Sequence, residues 1–183
     1  AIRLFAASKP LTGSMASAYL RSRGITRVSD LPALRFHPRC YYRPNENDDP
    51  ATAGAFPALI AAVTDNDGVQ TGTHRTWLDP SGCAKAKVAS PRRAMGNILG
   101  NAVRFGTADD VMIAGEGIET MLSLREVLPT MPMVAATSSA HLAAILFPQT
   151  LRRLYVARDR DAAGDAAFGV LAERTQAAGI QLV

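Results

Sequence analysis

The chain has 183 residues, 48% hydrophobic and 20% charged, the balance of a globular protein with one large domain or two small ones. No apolar run reaches the roughly 18 residues that cross a bilayer as a helix, and no secretory leader is visible, so a cytoplasmic protein without a membrane partner is expected. Cys40 and Cys83 lack a CxxC spacing, and His37 with Cys40 falls short of the about four ligands of a zinc site; the two cysteines read as free thiols of a reducing compartment.

The net charge of +4 is unevenly spread. Residues 1–108 carry 14 Lys and Arg against 7 Asp and Glu, whereas residues 109–183 carry 6 against 9. A basic surface suits a polyanion, most commonly nucleic acid, although plain solubility explains a small excess equally well.

In chain order, Ser14 to Arg23 predicts a short helix closed by Gly24. A stretch with Pro32, Pro38, Pro44 and Pro50 reads as loop, and Asn45 to Pro50 as an exposed polar run. Phe56–Val63 and Val69–Leu78 predict a hairpin turning through "DNDG". "KAKVASPRR", Lys85 to Arg93, holds four basic residues in nine. From Val111 onward strand and helix alternate: "VMIAG", a helix from Glu116 to Leu128, "MVAAT", a helix from Ser138 or Ser139 to about Leu146, "RLYVA", a helix from Ala162 to Ala178, and "IQLV". Alternation of this kind predicts a parallel sheet with helices on its faces, with the boundary near residues 104–110.

Two of the three complete strands in that second part end in acids. The first runs into Gly115-Glu116-Gly117, the third into Asp159-Arg160-Asp161. Sites in open α/β sheets form beyond the carboxyl ends of the strands. Residues two apart on an extended chain point the same way, so Asp159 and Asp161 can face one cavity. If their strand neighbours that of Glu116, three carboxylates converge and offer a hard cation such as Mg2+ the oxygen ligands it takes. Taken singly, each acid also suits a helix start. His74 suits a buried strand position as well as a phosphate contact, Trp77 the core as well as a base stack, and "TSSA" (Thr137 to Ala140) a cap as well as a phosphate.

"IAGEGIETMLS" and "VARDRDAAG" resemble the two signature motifs of the TOPRIM domain, shared by bacterial-type primases, type IA and type II topoisomerases, OLD-family nucleases and RecR-like recombination proteins. The resemblance covers residues 109–183. It implies a compact α/β fold with a Mg2+ site, or Mn2+ in its place. Glu116 then stands where the family has a general acid/base glutamate, and Asp159 and Asp161 stand where it has the metal-binding pair. Phe56 to Gly100 is similar to the segment before TOPRIM in primases, and "AYLRSRGI" to the helix that opens that subdomain; phage and plasmid primase-like proteins resemble the whole best. The resemblance makes Arg75, Lys85, Lys87, Arg92 and Arg93 candidates for holding template and nucleotide phosphates, contacts that depend on charge rather than base identity. The family's zinc-binding segment does not precede these motifs, and its further acidic cluster lies beyond Val183, so a catalytic-core fragment is expected.

The resulting expectation is an α/β protein: a TOPRIM-like parallel sheet flanked by helices at 109–183, preceded by a smaller mixed α+β basic subdomain at 1–108. The resemblance implies primer synthesis from Mg-bound nucleoside triphosphates on a single-stranded DNA template, with a replicative helicase as a further partner. A metal-dependent OLD or RecR-like nuclease and a non-catalytic DNA-binding module of a larger replication or mobilisation protein are the alternatives.

Overall fold

A computed structural model of the chain describes residues 1–46 and 48–183, which fall into two units, 1–62 with 72–96 and 63–71 with 97–183. The first unit holds α1 (Ile2–Ala6), β1 (Lys9–Pro10), α2 (Met15–Ser22), β2 (Leu34–Tyr42), a 3-10 turn (Pro50–Thr52), and β5 (Arg92–Gly96). It also holds most of β3 (Gly54–Thr64) and β4 (Gln70–Trp77). The strands form one sheet in the order β1-β2-β3-β4-β5. Helix α2 begins where expected because the Ser14 hydroxyl accepts from the Ser17 N–H at 3.3 Å, and Gly24 at φ 78° turns the chain away. Its buried face is Ala16, Tyr19 and Leu20, the i, i+3, i+4 spacing of one helical stripe.

Strand β2 occupies the proline-containing stretch read as loop. Pro38 sits inside it, and the pairing with β3 shifts register between His37 and Cys40. A residue without an N–H is tolerated in a strand at such an irregularity. Trp77 is core: it is 1% exposed, donates from Nε1 to the Cys40 carbonyl at 3.1 Å and meets the Tyr42 ring edge-on at 4.9 Å. His74 is buried on the same strand.

The second unit holds β6 (Val103–Phe105), β7 (Val111–Gly115), α3 (Ile118–Val127), β8 (Met133–Ala135), α4 (Ser139–Ala143), β9 (Arg153–Ala157), α5 (Ala162–Ala177) and β10 (Gln181–Leu182). Its sheet runs β10-β9-β7-β8-β6. β7 pairs in parallel with β8 and β9, and β9 with β10; β6, not anticipated, closes the edge antiparallel to β8. Met112, Ala114, Val134 and Leu154 share one core with Leu142, Ile145 and Leu171, from α4, the turn after it and α5. Each large side chain buried there contributes about 2 kcal/mol of apolar transfer. On the other face, a Cβ added to Gly115 would overlap the Met121 methyl of α3 and crowd the Ala157 carbonyl, so a larger residue at this strand end requires Met121 to move. Helix α4 stops at Ala143, short of the predicted Leu146. The Arg174 guanidinium takes the carbonyls of Ala143 and Ile145, and Pro148 cannot extend a helix. The hairpin tip belongs to this unit through Thr64 N–H to the Ala102 carbonyl at 2.9 Å and Arg104 Nε to the Asp65 carbonyl at 2.8 Å. Among the described residues no helix is long and apolar enough to cross a membrane.

The polar run 45–50 corrects one expectation. Asn47 lies outside the described residues, but Asp48 is buried rather than exposed. Its carboxylate accepts from Tyr42 Oη at 2.6 Å, Asn45 N–H at 2.9 Å and Ala89 N–H at 2.9 Å, and pairs with Arg93 at 2.8 Å. Burial pushes the Asp48 carboxyl upward, but these donors together outweigh it and hold the group below its ordinary value. A depressed carboxyl stabilises the fold above its unfolded value and loses that contribution as pH falls through the folded one. Asp48→Asn is therefore expected to lower the melting temperature at neutral pH and to flatten the acid limb below about pH 4; melting curves from pH 7 to 3 on both proteins check this.

Candidate acidic site and basic strand pair

Gly115 is matched in register to Ala157 on one side and Ala135 on the other. Glu116 thus leaves β7 one residue past that level, and Asp159 and Asp161 leave β9 two and four residues past it. The strands of the predicted trio are direct neighbours, and their acids share the carboxyl edge of the sheet.

Each acid is held differently. Glu116 is half-buried between β7 and α3, whereas Asp159 and Asp161 are exposed. Asp161 is the N-cap of α5, its Oδ1 accepting from the Gly164 N–H at 2.7 Å. Asp165, in the first turn, pairs with Arg158 at 3.0 Å, a solvent-exposed contact of small energetic weight. Among the described residues the Glu116 and Asp159 carboxylates have no hydrogen-bond or ion-pair partner. Gly164 is obligatory in this turn, because a Cβ there would overlap the Asp159 carbonyl oxygen.

The donor set is all oxygen, as a hard cation requires, and two of its three carboxylates are uncommitted. Chemically the residues fit Mg2+. Yet among the described residues no three His, Cys, Asp or Glu side chains are gathered closely enough to hold a metal ion. The pairing of β7 with β9 brings the backbones of the trio to one edge without gathering the three carboxylates.

The five basic candidates divide. Arg75 on β4 lies directly opposite Arg93 on β5, and Thr76 opposite Arg92; Arg92 therefore points to the other face from Arg93. Lys85 is half-buried, bridged to Leu78 through backbone pairing, and Lys87 is exposed. Arg93 is engaged by Asp48, the Tyr42 hydroxyl at 2.6 Å and the Arg43 carbonyl at 2.6 Å. Arg75 lies over the Trp77 ring at 4.7 Å, with a buried Nε that has no hydrogen-bond partner among the described residues. Burial lowers its pKa, Cys40 opposes this more weakly, and the like charge of Arg93 adds a still smaller lowering.

Sequence reasoning missed two features. One is buried Asp48, two of whose partners, Ala89 and Arg93, are distant in sequence. The other is Thr137, which follows β8 with φ 76°; a backbone angle leaves no mark in composition. Within the acidic turn, Gly164→Ala is expected to cost about 2 kcal/mol of stability and to displace Asp159, as denaturant titration and exchange of the Gly164 amide would record.

No curated protein sequence matches the chain. A family model described as a domain of unknown function, DUF7146, matches residues 1–105, and one described as a Toprim domain matches residues 111–183. Among solved structures, the Aquifex aeolicus primase with its zinc-binding and RNA polymerase domains is 16% identical at a TM-score of 0.64, over 99% of this chain and 52% of that one. The DnaG primase catalytic domain bound to ssDNA is 15% identical at 0.61, over 99% and 67%. The E. coli primase catalytic core is 14% identical at 0.61, over 98% and 68%. The chain thus spans between 52% and 68% of the length of these structures, and at such identities the likeness speaks for the fold. The chain belongs to the DUF7146 family over its first part and carries a Toprim domain over its second, on the fold of primase catalytic cores.

Proposed function

We propose that the protein is a DNA primase-type nucleotidyltransferase that makes short primers on single-stranded DNA from nucleoside triphosphates. The observation that carries this reading is the direct parallel pairing of β7 with β9, which puts Glu116 and Asp159 at one sheet edge of a Toprim domain. In this reading residues 1–108 face the nucleic acid and residues 109–183 hold the acids. Asp159 and Asp161 would hold Mg2+, or Mn2+, with Glu116 assisting. The ion, when bound, would offset charge on the triphosphate as it transfers. The primer 3′-oxygen forms a bond to the α-phosphorus, the bond to the bridging oxygen breaks, and pyrophosphate leaves. Glu116, half-buried and without a partner, is suited to accept the hydroxyl proton. A replicative helicase would be a natural partner, fused or recruited.

The test is primer synthesis with single-stranded DNA, labelled nucleotides and Mg2+ or Mn2+, alongside Asp159→Ala and Glu116→Gln. New short products that vanish in both variants are expected. Template cleavage that needs Asp159 but no nucleotides would make the protein a nuclease. Binding without turnover, in this chain and in one extended beyond Val183, would make it a DNA-binding module.

The two strand-paired arginines are expected to separate. Arg75→Ala should weaken single-stranded DNA binding and reduce its log-log salt slope by about 1, with the melting temperature kept. Arg93→Ala should lower the melting temperature first, by leaving Asp48 buried and short of a partner. Fluorescence anisotropy at several salt concentrations, paired with thermal melts, reads both.

A further inference from the structure

Thr137 follows β8 with φ 76°, a left-handed conformation that a β-branched side chain adopts only under constraint. It is the one non-glycine residue with positive φ among those described. Its place is specific. Ala135 is level with Gly115 and Ala157, so Thr137 lies two residues past the same level as Asp159, on the opposite side of β7. Ala136 N–H donates to the Gly115 carbonyl at 2.9 Å, and Thr137 N–H to the Glu116 carbonyl at 2.8 Å. The strained residue therefore extends the β7–β8 ladder one step beyond the strands, onto the residue that carries the unpartnered carboxylate.

The Thr137 side chain does not serve the site. Its Oγ1 lies 3.5 Å from Nδ1 of His141 on α4, and the next residue, Ser138, caps that helix by accepting from the His141 N–H at 3.2 Å. What Thr137 offers Glu116 is its backbone. The left-handed region open to a β-branched residue is small, so the angle is narrowly fixed. Glycine would reach the same conformation with far more freedom around it. Strain that persists beside a candidate active site marks a position that the surroundings over-determine.

Resting on the proposed metal-dependent reading, we infer that Thr137 is a positioning residue: its constrained backbone fixes the direction in which Glu116 leaves β7, and so readies the acidic edge for a divalent cation. Thr137→Gly relieves the strain and keeps the N–H, so a purely structural residue would melt no lower and bind metal unchanged. The positioning role gives a different result. With the melting temperature equal to or above the parent's, the Mn2+ dissociation constant rises about tenfold, read by water-proton relaxation without DNA or nucleotide. Thr137→Asn, more at ease in the left-handed region than threonine but less free than glycine, falls between the two. Glu116→Gln in the same assay weakens binding and shows that the signal reports this edge. A Thr137→Gly protein that binds Mn2+ as the parent does, while Glu116→Gln binds weakly, overturns the positioning role alone. A parent that binds no Mn2+, or binds it regardless of Glu116→Gln, overturns the metal reading and this inference with it.

Discussion

The pairing of β7 with β9 is the contact on which the acidic edge depends. Neither strand is distinctive alone; each is a short, largely apolar run of five residues. Parallel pairing over all five residues, Val111 with Arg153 through Gly115 with Ala157, fixes where each chain leaves the sheet, and the acids follow at set distances beyond. A slip of one residue would turn every side chain of β9 over, burying Arg153 and Tyr155 and expelling Leu154 from the core. The hydrophobic register that builds the sheet therefore also brings the backbones of Glu116 and Asp159 to one edge.

Close packing at the strand ends enforces that geometry. Gly115 lies against the Met121 side chain and the Ala157 backbone, and Gly164 against the Asp159 carbonyl. Neither glycine is called for by a positive φ; at each, other atoms of the chain occupy the place of a Cβ, the Met121 methyl at Gly115 and the Asp159 carbonyl at Gly164. The acidic turn after β9 is compact enough for Asp161 to cap α5 while Asp159, two residues earlier, stays uncommitted.

Much of the second unit was legible because period-2 and helical patterns alternate cleanly from Val111 onward, and because strand ends carry acids at a recognisable spacing. The adjacency of the first and third strands was a condition that sequence could state but not decide, since strand order is set by packing. β2 was hidden by Pro38, whose irregularity is absorbed by a register shift. Asp48 was hidden by its neighbours: a run of Asn, Glu and Asp reads as solvated, and its burial is offset by donors that include the distant Ala89 and Arg93. Thr137 was named as part of a cap, which Ser138 supplies; its own contribution lies in a torsion angle. Arg92 and Arg93 stood together in one basic run, whereas a strand separates them onto opposite faces.

The same division of roles recurs within each unit. On β4 and β5 two arginines face each other, a repulsive pairing, and Asp48 resolves it by binding one of them. Arg93 becomes part of the structure, and Arg75 keeps a guanidinium edge without a hydrogen-bond partner over the Trp77 ring. In the acidic turn two aspartates stand one residue apart; the N-terminus of α5 takes one, and the other remains open. In both places a buried or capped partner makes one charge structural, and this permits an unpaired like charge to persist beside it. A charge kept open at that cost has the character of a binding group rather than of a stabilising one, and under the proposed function Arg75 and Asp159 are the side chains it singles out in each unit.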